Sequence, residues 1–469
     1  MRINKLTVKN FKGFEDRTFE FPQAANAVGN GSFHLMIGQN GKGKTSALDA
    51  LAVAAGSWFL GVHGYPDRPI TEEDARLVVL DFGDTARIEK QLPVLVEAHG
   101  VAAGQSLIWT RHLEREDAAS SQAENIKWLA EKIQREDQNN VSLPLISYYG
   151  TGRLWQGSGS GEFFARTELA IAQLLGSLHD LGKSNQSFQH LLGKQNKPLT
   201  ATNSASHEFA SRLAGYENSI TPFCSSDELL NWLTFEQQLA IQDGRESTQF
   251  ITVKQAIQQA IEGCTKVEYH LRLGLLIDIE GQPRLPFSAL SDGQRNMLAM
   301  IGDIAWKAAQ LNPHLGKDVL LKTPGIVLID ELDLHLHPRW QRHVIEDLRR
   351  LFPEIQFIAT THSPFIIQTA REGELIKLDG DVSIDPGGKT LEEIARLIMD
   401  VTDSDRSPRY QAKLDVARAY MALVAESKTA PPERRAQIQQ ELITKLAPFS
   451  DNPAYTALLE RKGILADGA

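Results

Sequence analysis

The residue types best suited to phosphate chemistry stand together near the N-terminus, in the run from Gly38 to Thr45. This run, GQNGKGKT, matches the pattern G-x-x-x-x-G-K-[S/T] in full. Its glycines let backbone N–H groups form a concave nest, and the helix predicted to begin near Thr45 adds partial positive charge. We expect Lys44 to contact the β- and γ-phosphates and the Thr45 hydroxyl to bind Mg²⁺. The predicted ATP-binding residues of this loop are Gly38, Asn40, Gly41, Gly43, Lys44, Thr45 and Ser46.

Two carboxylates follow an apolar run much later in the chain. Gly325 to Ile329 reads GIVLI and predicts a buried strand, after which Asp330 and Glu331 emerge. Ligands bind at the C-terminal ends of such strands in open α/β sheets. Asp330 is predicted to hold Mg²⁺ as in a Walker B element, and Glu331 to orient and deprotonate the attacking water. An acidic turn is the alternative, but the presence of the glycine-rich loop favours the catalytic interpretation.

A second anion-binding helix start is predicted between these two motifs, in the sequence LSDGQR at 290–295. Ser291 is a good N-cap, and a helix N-terminus that carries Ser and Gly binds anions. Because the glycine-rich loop already has its own helix, a second site is useful if it binds the γ-phosphate held by another subunit. An ordinary helix cap is the alternative. The residues predicted to act in trans are Ser291, Gly293 and Gln294.

The fourth motif, TTHSP at 360–364, follows a strand predicted over Gln356–Thr360. One helix, Pro338 to Leu351, is predicted between the carboxylates and this strand. A histidine at a strand end can reach a γ-phosphate or the attacking water, although a lone histidine is usually structural or exposed. Its place in the motif order favours a phosphate-sensing role. Glu331 and His362 are therefore the predicted catalytic residues.

The elements that must position these motifs predict an α/β fold. A buried strand over Ser32–Ile37 precedes the glycine-rich loop, and a helix over Thr45–Ala55 follows it. Strand-like runs that predict an antiparallel sheet beside this core cover Arg76–Phe82, Ala86–Leu92 and Ser106–His112.

Helical patterns dominate from about residue 157 to residue 286, and polar, irregular segments separate them. Two predicted helices there are Glu168–Leu181 and Asp227–Asp243. The predicted organisation is an N-terminal ATPase lobe at 1–156, a mostly helical insert at 157–286, a C-terminal ATPase lobe at 287–385, and a helical tail at 386–469 for assembly or partner binding.

Composition limits the classes of function. The 469 residues carry a net charge of −10, which argues against a purely electrostatic DNA binder, so any nucleic-acid contact would need a local patch or the assembled complex. The two cysteines, Cys224 and Cys264, suggest neither a disulfide framework nor a metal knuckle, and a reducing cytoplasm is the expected location. No apolar run is long enough to span a membrane, and no signal peptide is predicted.

The four motifs, in this order, resemble the ABC ATPase heads of the SMC, Rad50 and RecF class. The sequence KNFKGF at 9–14 resembles the N-terminal strand and turn of that class. The resemblance implies a two-lobed head, made of a mixed P-loop sheet and an antiparallel β lobe, with an inserted helical region and a helical C-terminal tail. It also implies ATP and Mg²⁺ as ligands, dimers that close head to tail around ATP, and Lys12 near the nucleotide.

Two longer stretches resemble a narrower group, the PtuA-type ATPases of Septu and retron anti-phage defence systems. They are DELDLHLHPRWQR at 330–342 and SYYGTGRLW at 147–155. This resemblance implies that the chain forms a homodimer and larger assemblies of dimers, and that it regulates an HNH-type nuclease similar to PtuB or another effector encoded nearby. RecF-like DNA-repair ATPases and the ATPase of PARIS systems, which would control a TOPRIM effector, are the alternatives.

Some positions depart from the SMC pattern. His337 stands where the D-loop aspartate is expected, and Asp292 replaces a glycine of the signature, so communication between subunits and the hydrolysis rate are expected to differ in detail. Arg153 and Gln156 are both candidates for the Q-loop. A metal site at Asp333, His335 and His337 lacks a convincing fourth ligand, and no nuclease motif is found, so cutting of nucleic acid would need a partner.

Overall fold

The computed structural model describes most of the chain. The described residues are 1–23, 31–81, 86–115, 118–136, 141–153, 212–222, 227–380, 384–401, 408–427, 429–434, 437–438 and 440–441. They divide into two compact units, Met1–Met399 and Asp400–Ala469. The predicted helix Glu168–Leu181, Gln156 and Cys224 lie outside the described residues.

Strands supply the framework of the first unit. They are β1 (Arg2–Phe11), β2 (Phe14–Glu20), β3 (Ser32–Ile37), β4 (Arg76–Asp81), β5 (Ala86–Gln91), β6 (Val94–Ala102), β7 (Gln105–Arg115), β8 (Ala118–Gln122), β9 (Leu145–Tyr149), β10 (Cys264–His270), β11 (Gly274–Ile279), β12 (Leu285–Pro286), β13 (Gly325–Ile329), β14 (Ile355–Thr360) and β15 (Leu375–Lys377).

The described helices belong to both units. They are α1 (Lys44–Gly56), α2 (Glu124–Glu136), α3 (Asp227–Asp243), α4 (Thr248–Gln259), α5 (Asp292–Leu311), α6 (Val319–Lys322), α7 (Pro338–Gln341), α8 (Val344–Leu351), α9 (Pro364–Ile367), α10 (Leu391–Leu397) and, in the second unit, α11 (Pro408–Ser427). In the part of the chain that the structure describes, none is both long and apolar enough to cross a bilayer.

A five-stranded sheet in the order β15-β3-β14-β13-β9 carries the motifs, and all of its neighbouring pairs are parallel. β13, β14 and β9 are buried along their whole length, as expected for strands covered on both faces. Because the strands are parallel, the loops that follow β3, β13 and β14 lie along one edge. That edge holds the P-loop, the two carboxylates and the TTHSP motif.

A second five-stranded sheet, β2-β1-β6-β7-β8, is antiparallel. β6 alternates between buried and half-buried residues, so one face packs on the core and the other faces solvent. Helix α1 packs against both sheets and is buried on nearly all sides, which its Ala-rich sequence permits. Trp109 of β7 fixes the contact, because its indole N–H donates to the carbonyl of Ala54 at 2.9 Å.

These sheets confirm the predicted α/β class with a P-loop sheet and an antiparallel β lobe. The described part of the P-loop sheet is purely parallel, so the mixed character comes from separate parallel and antiparallel sheets. The strands predicted at 76–82 and 86–92 do not join the large antiparallel sheet. β4 and β5 instead pair with each other, and an isolated bridge between Phe11 and Ala75 joins the start of this hairpin to β1.

The predicted single helix from Pro338 to Leu351 is wrong. The structure divides it into α7 and α8, with the break at Arg342 and His343. At the break the backbone forms a tighter turn, because the His343 N–H donates to the carbonyl of Trp340, three residues back, at 3.0 Å.

The C-terminal part also differs from the expected single tail. Helix α10 belongs to the first unit, where Ile394 and Ile398 pack with Ile37 and Ile367 in a small apolar cluster. In the second unit, Tyr420 and Val424 of α11 are buried. The other proposed domain boundaries stay predictions.

Candidate nucleotide site

The P-loop joins β3 to α1 in the conformation that its glycines require. Gly41 and Gly43 have φ angles of 80° and 91°, in the left-handed region that other residues rarely adopt. A side chain at Gly43 would also clash, because its Cβ would lie 2.7 Å from the Phe14 ring. The backbone of the loop therefore depends on these glycines, and α1 begins directly behind it.

Lys44 lies within the loop and is largely buried. Its ammonium donates to the carbonyls of Gly38 at 2.8 Å and Gln39 at 3.2 Å. Burial lowers its pKa from the usual value, while the carboxylates of Asp330, Glu331 and Asp379 act in the opposite direction. A buried lysine next to the backbone amides of a glycine-rich loop is well suited to bind phosphate oxygens.

Asp330 connects the P-loop to the strand end on which it stands. Its Oδ2 accepts a hydrogen bond from the Thr45 hydroxyl at 2.8 Å, and its Oδ1 accepts one from the Thr360 hydroxyl at 2.6 Å. The backbone N–H of Asp330 donates to the carbonyl of Tyr149 at 2.8 Å. The start of the P-loop helix and the end of β14 thus meet at this one carboxylate, and β9 holds its backbone; Asp330 is 3% exposed.

Thr45 and Asp330 are also the two residues predicted to hold Mg²⁺. A hydroxyl and a carboxylate 2.8 Å apart form the oxygen-rich donor set that Mg²⁺ prefers when it keeps several waters and binds substrate phosphates. This donor set fits the predicted ion.

Glu331 follows Asp330 in a constrained backbone conformation. Its φ of 49° is unusual for a residue other than glycine. The Thr360 hydroxyl holds this conformation, because it accepts from the backbone N–H of Glu331 at 2.7 Å. Its side chain is half-buried, and the residue stands at the same edge of the sheet as the P-loop.

His362 stands beside the same strand end, after β14. Its backbone N–H donates to Oδ1 of Asp333 at 3.2 Å, and the Thr361 hydroxyl donates to the same oxygen at 2.6 Å. Asp333 therefore fixes the turn that carries the histidine, whose side chain is half-buried. Glu331 and His362 end adjacent strands and are brought to the same edge.

Three residues at this site were not among the predicted site residues. Thr360 orders both Asp330 and Glu331, and Asp333 orders the His362 turn. Asp379, after β15, accepts from the backbone N–H of Gln39 at 3.2 Å and so holds the first part of the P-loop. Thr360 and Asp333 lie within the predicted motifs and could have been found as polar residues that end or follow buried strands. Asp379 belongs to no motif.

Lys12 was predicted to lie near the nucleotide. In the structure its ammonium forms ion pairs with Asp49 of α1 and with Asp74 at 3.5 Å, and its φ is 50°. Asp49 also pairs with Arg68 at 2.9 Å. Lys12 thus holds the turn before β2 against the P-loop helix, and a contact with nucleotide stays a prediction.

The predicted signature residues form a closed cap at the start of α5. The Ser291 hydroxyl accepts from the backbone N–H of Gln294 at 3.4 Å, and the Gln294 side chain accepts from the backbone N–H of Ser291 at 3.1 Å. Ser291 is exposed. Within the described residues, neither side chain has a hydrogen bond to the P-loop.

Gly293 has a packing role that the motif did not reveal. It is buried, and a Cβ added there would lie only 2.1 Å from the carbonyl oxygen of His335. The start of α5 is therefore pressed against the segment that follows Glu331. The predicted signature at 290–295 and the predicted D-loop, which ends at His337, therefore pack together within the chain.

The two candidates for the Q-loop, Arg153 and Gln156, follow β9 in the sequence. Arg153 closes a short 3₁₀ turn, Thr151–Arg153, while Gln156 lies beyond the described residues. The choice between them stays open.

Comparison with known proteins gives the family. A family model described as an AAA domain matches residues 5–265, which is more than half of the chain, and a second AAA-domain model matches residues 203–368. The chain belongs to the AAA domain family. The two matches together include the P-loop, the signature, Asp330 and His362.

Curated relatives of this AAA-domain chain come from retron and Septu systems. The Retron Ec83 probable ATPase of Escherichia coli is 26% identical over 79% of this chain and 70% of its own length. The Retron Vc95 probable ATPase of Vibrio cholerae is 23% identical over 86% of this chain and 80% of its own length. The Septu protein PtuA of Bacillus thuringiensis is 46% identical over a shorter region, 26% of this chain and 34% of its own. The predicted resemblance to this group is confirmed, and the AAA-domain chain is an ATPase.

Among solved structures, the SMC head domain from Thermotoga maritima has a TM-score of 0.37 and 14% identity, and covers 82% of this chain and 97% of its own. The fold assignment therefore rests on the sheets of the AAA-domain chain itself.

Proposed function

We propose that this protein is the ATP-hydrolysing subunit of an anti-phage defence system, and that it uses ATP to close a head-to-tail dimer which regulates a partner effector. The observation that carries the proposal is the hydrogen bond of 2.8 Å between Thr45 and Asp330. It joins the P-loop to the Walker B strand and builds one half of a nucleotide site within a single chain.

The second half is proposed to come from another copy. Ser291 is exposed, and among the described residues its side chain is bonded within its own cap, so its hydroxyl would lie open to a γ-phosphate held by the other copy. Because Gly293 packs on His335, the D-loop would approach the same partner surface. Two exchanged sites of this kind give a closed dimer with twofold symmetry.

Hydrolysis is assigned to residues on the partner-facing edge. Glu331 would accept the proton of the attacking water, with its backbone held by Thr360. His362 would contact the γ-phosphate and report its presence. Lys44 and the P-loop amides would stabilise charge on the phosphates, and bound Mg²⁺, held by Thr45 and Asp330, would neutralise part of that charge.

The role in defence is supported by the relatives, which are retron ATPases and Septu PtuA proteins. The partner would be an HNH-type nuclease similar to PtuB, or another effector encoded nearby, and contact with nucleic acid would occur through that complex. Higher oligomers would assemble from the closed dimers.

The test uses the variant Glu331→Gln, which should bind ATP without hydrolysing it. Sedimentation should show a monomer without nucleotide and a dimer with ATP and Mg²⁺, while Lys44→Ala stays monomeric under both conditions. A Glu331→Gln variant that remains monomeric with bound ATP would overturn the dimer model.

The effector is tested by co-purification with the products of neighbouring genes, followed by DNA and RNA cleavage assays with and without ATP. An HNH nuclease or another toxic effector in the complex would support the proposal. A DNA-repair complex, or a TOPRIM protein, would favour a RecF-like or PARIS-type role respectively.

A further inference from the structure

Two consecutive tyrosines on β9 connect the sheet to the two helices that carry the phosphate-binding motifs. Successive side chains of a strand point to opposite faces, so Tyr148 and Tyr149 face different layers. The Tyr148 hydroxyl lies 3.3 Å from Oδ1 of Asp49 on α1, the P-loop helix. The Tyr149 hydroxyl donates to Oδ2 of Asp303 on α5, the signature helix, at 2.6 Å.

The contact on the α5 side belongs to a buried charged cluster. Asp303 and Lys307, one helical turn apart, are each 2% exposed and form an ion pair of 3.1 Å. The Lys307 ammonium also lies 3.5 Å from the Ser147 hydroxyl and 5.9 Å from the centre of the Tyr149 ring. Ser147 and Tyr149 share one face of β9. Charged and polar groups therefore hold α5 at a fixed position along this strand.

Such a cluster is a costly way to hold a helix on a sheet, because buried charges lose hydration that apolar packing would not require. Its advantage is geometric. A hydrogen bond between a carboxylate and a phenol forms at one position of the helix along the strand, whereas contacts between apolar side chains are less directional. The phenol on the other face stays a donor, since burial raises the pKa of Tyr148 far above its usual value.

The same strand also contacts the backbone of Asp330, the predicted Mg²⁺ ligand. The carbonyl of Tyr149 accepts from the backbone N–H of Asp330 at 2.8 Å, and Asp330 in turn holds Thr45. One residue therefore contacts the Walker B strand through its backbone and the signature helix through its side chain.

We propose that Tyr148 and Tyr149 are positioning residues with separate targets. Tyr149 sets the position of α5 along β9 and thereby the position of Ser291, which acts on the nucleotide of the partner subunit. Tyr148 sets α1 and thereby the P-loop of its own subunit. This assignment rests on the proposed composite dimer.

The test compares Tyr149→Phe with Tyr148→Phe, since both retain the ring and the strand. Tyr149→Phe should lower kcat for ATP about tenfold, because a buried carboxylate loses a hydrogen bond, and should leave ATP affinity unchanged. Tyr148→Phe should have a smaller effect, because Lys12 and Arg68 still hold Asp49. Tyr216→Phe is the matched control: its phenol is buried and bonds the carbonyl of Pro144 at 3.0 Å, away from both carboxylates.

Subunit mixing separates positioning in trans from a general loss of stability. In a mixed dimer with Lys44→Ala, the only competent P-loop belongs to the Tyr149→Phe chain, and the signature opposite it is wild type. Excess Lys44→Ala should therefore raise turnover per Tyr149→Phe subunit several-fold, towards the wild-type value per site, and should not raise that of Tyr148→Phe.

Wild-type kcat in Tyr149→Phe, or the absence of rescue by Lys44→Ala, would overturn the inference. If Tyr149→Phe is poorly folded, Asp303→Asn tests the same contact from the helix side and should show the same rescue. Failure of the dimer itself is recognised independently, because Glu331→Gln would then stay monomeric with ATP.

Discussion

The two regions that are proposed to bind phosphate differ in how their side chains are held. Around the P-loop, Lys44, Asp330 and Thr360 are buried and bonded to one another or to the loop. At the start of α5, Ser291 is exposed, and among the described residues its side chain is bonded within its own cap. The first, completed region is thus joined from several parts of one chain, whereas the second is an exposed helix start. This difference is what a site shared between two subunits requires.

Lys44→Ala should have the largest effect, because it removes the buried cation of the completed region. ATP affinity is expected to fall by at least about 100-fold, which corresponds to about 2.8 kcal/mol. Isothermal titration or a fluorescent nucleotide measures it, and Lys42→Ala, an exposed loop lysine that the motif does not require, serves as the control. Normal affinity in Lys44→Ala would remove the P-loop assignment.

Gly293→Ala should disturb the contact between the start of α5 and the segment that follows Glu331. The added methyl would lie 2.1 Å from the carbonyl oxygen of His335, so the start of α5 must shift, at a cost of about 1–3 kcal/mol in the free energy of unfolding. ATP binding should be retained while hydrolysis falls. Gly388→Ala, where no atom lies within 4 Å of the new Cβ, is the control for the substitution itself. A fully active Gly293→Ala would show that the position of α5 does not matter.

Thr360→Val should have a more local effect on the completed region. It keeps the shape of the side chain but removes the hydroxyl that donates to Oδ1 of Asp330 and accepts from the Glu331 N–H, which costs about 1–3 kcal/mol. We expect kcat to fall about tenfold with little change in ATP affinity, since each 1.36 kcal/mol of barrier is a factor of ten. Steady-state kinetics measure both, and Thr18→Val on the outer face of β2 is the control. Equal kcat for Thr360→Val and the control would contradict the positioning role.

The strands of the completed region were predicted well because short local sequence patterns determine them. Ser32–Ile37 and Gly325–Ile329 are strands with the predicted bounds, and Asp227–Asp243 is a helix as predicted. In these segments apolar runs, turn glycines and polar strand ends all indicate the same structure.

Features that depend on contacts distant in sequence were not predicted. The alternation of β6 and the short β8 were missed, and so was the break between α7 and α8, where the His343 N–H donates to the Trp340 carbonyl at 3.0 Å. The packing of Gly293 on His335 and the hold of Asp379 on Gln39 are likewise tertiary. No pattern in the local sequence reports such partners.

The central claim is that the two regions meet only between subunits, and mixing two inactive variants tests it most directly. Lys44→Ala lacks a competent P-loop, and Ser291→Arg lacks a competent signature but should still bind ATP as a monomer. In a 1:1 mixture, the mixed dimer contains one intact composite site, so hydrolysis should recover to about a quarter of the wild-type rate. No recovery, although sedimentation shows that mixed dimers form, would contradict the shared site.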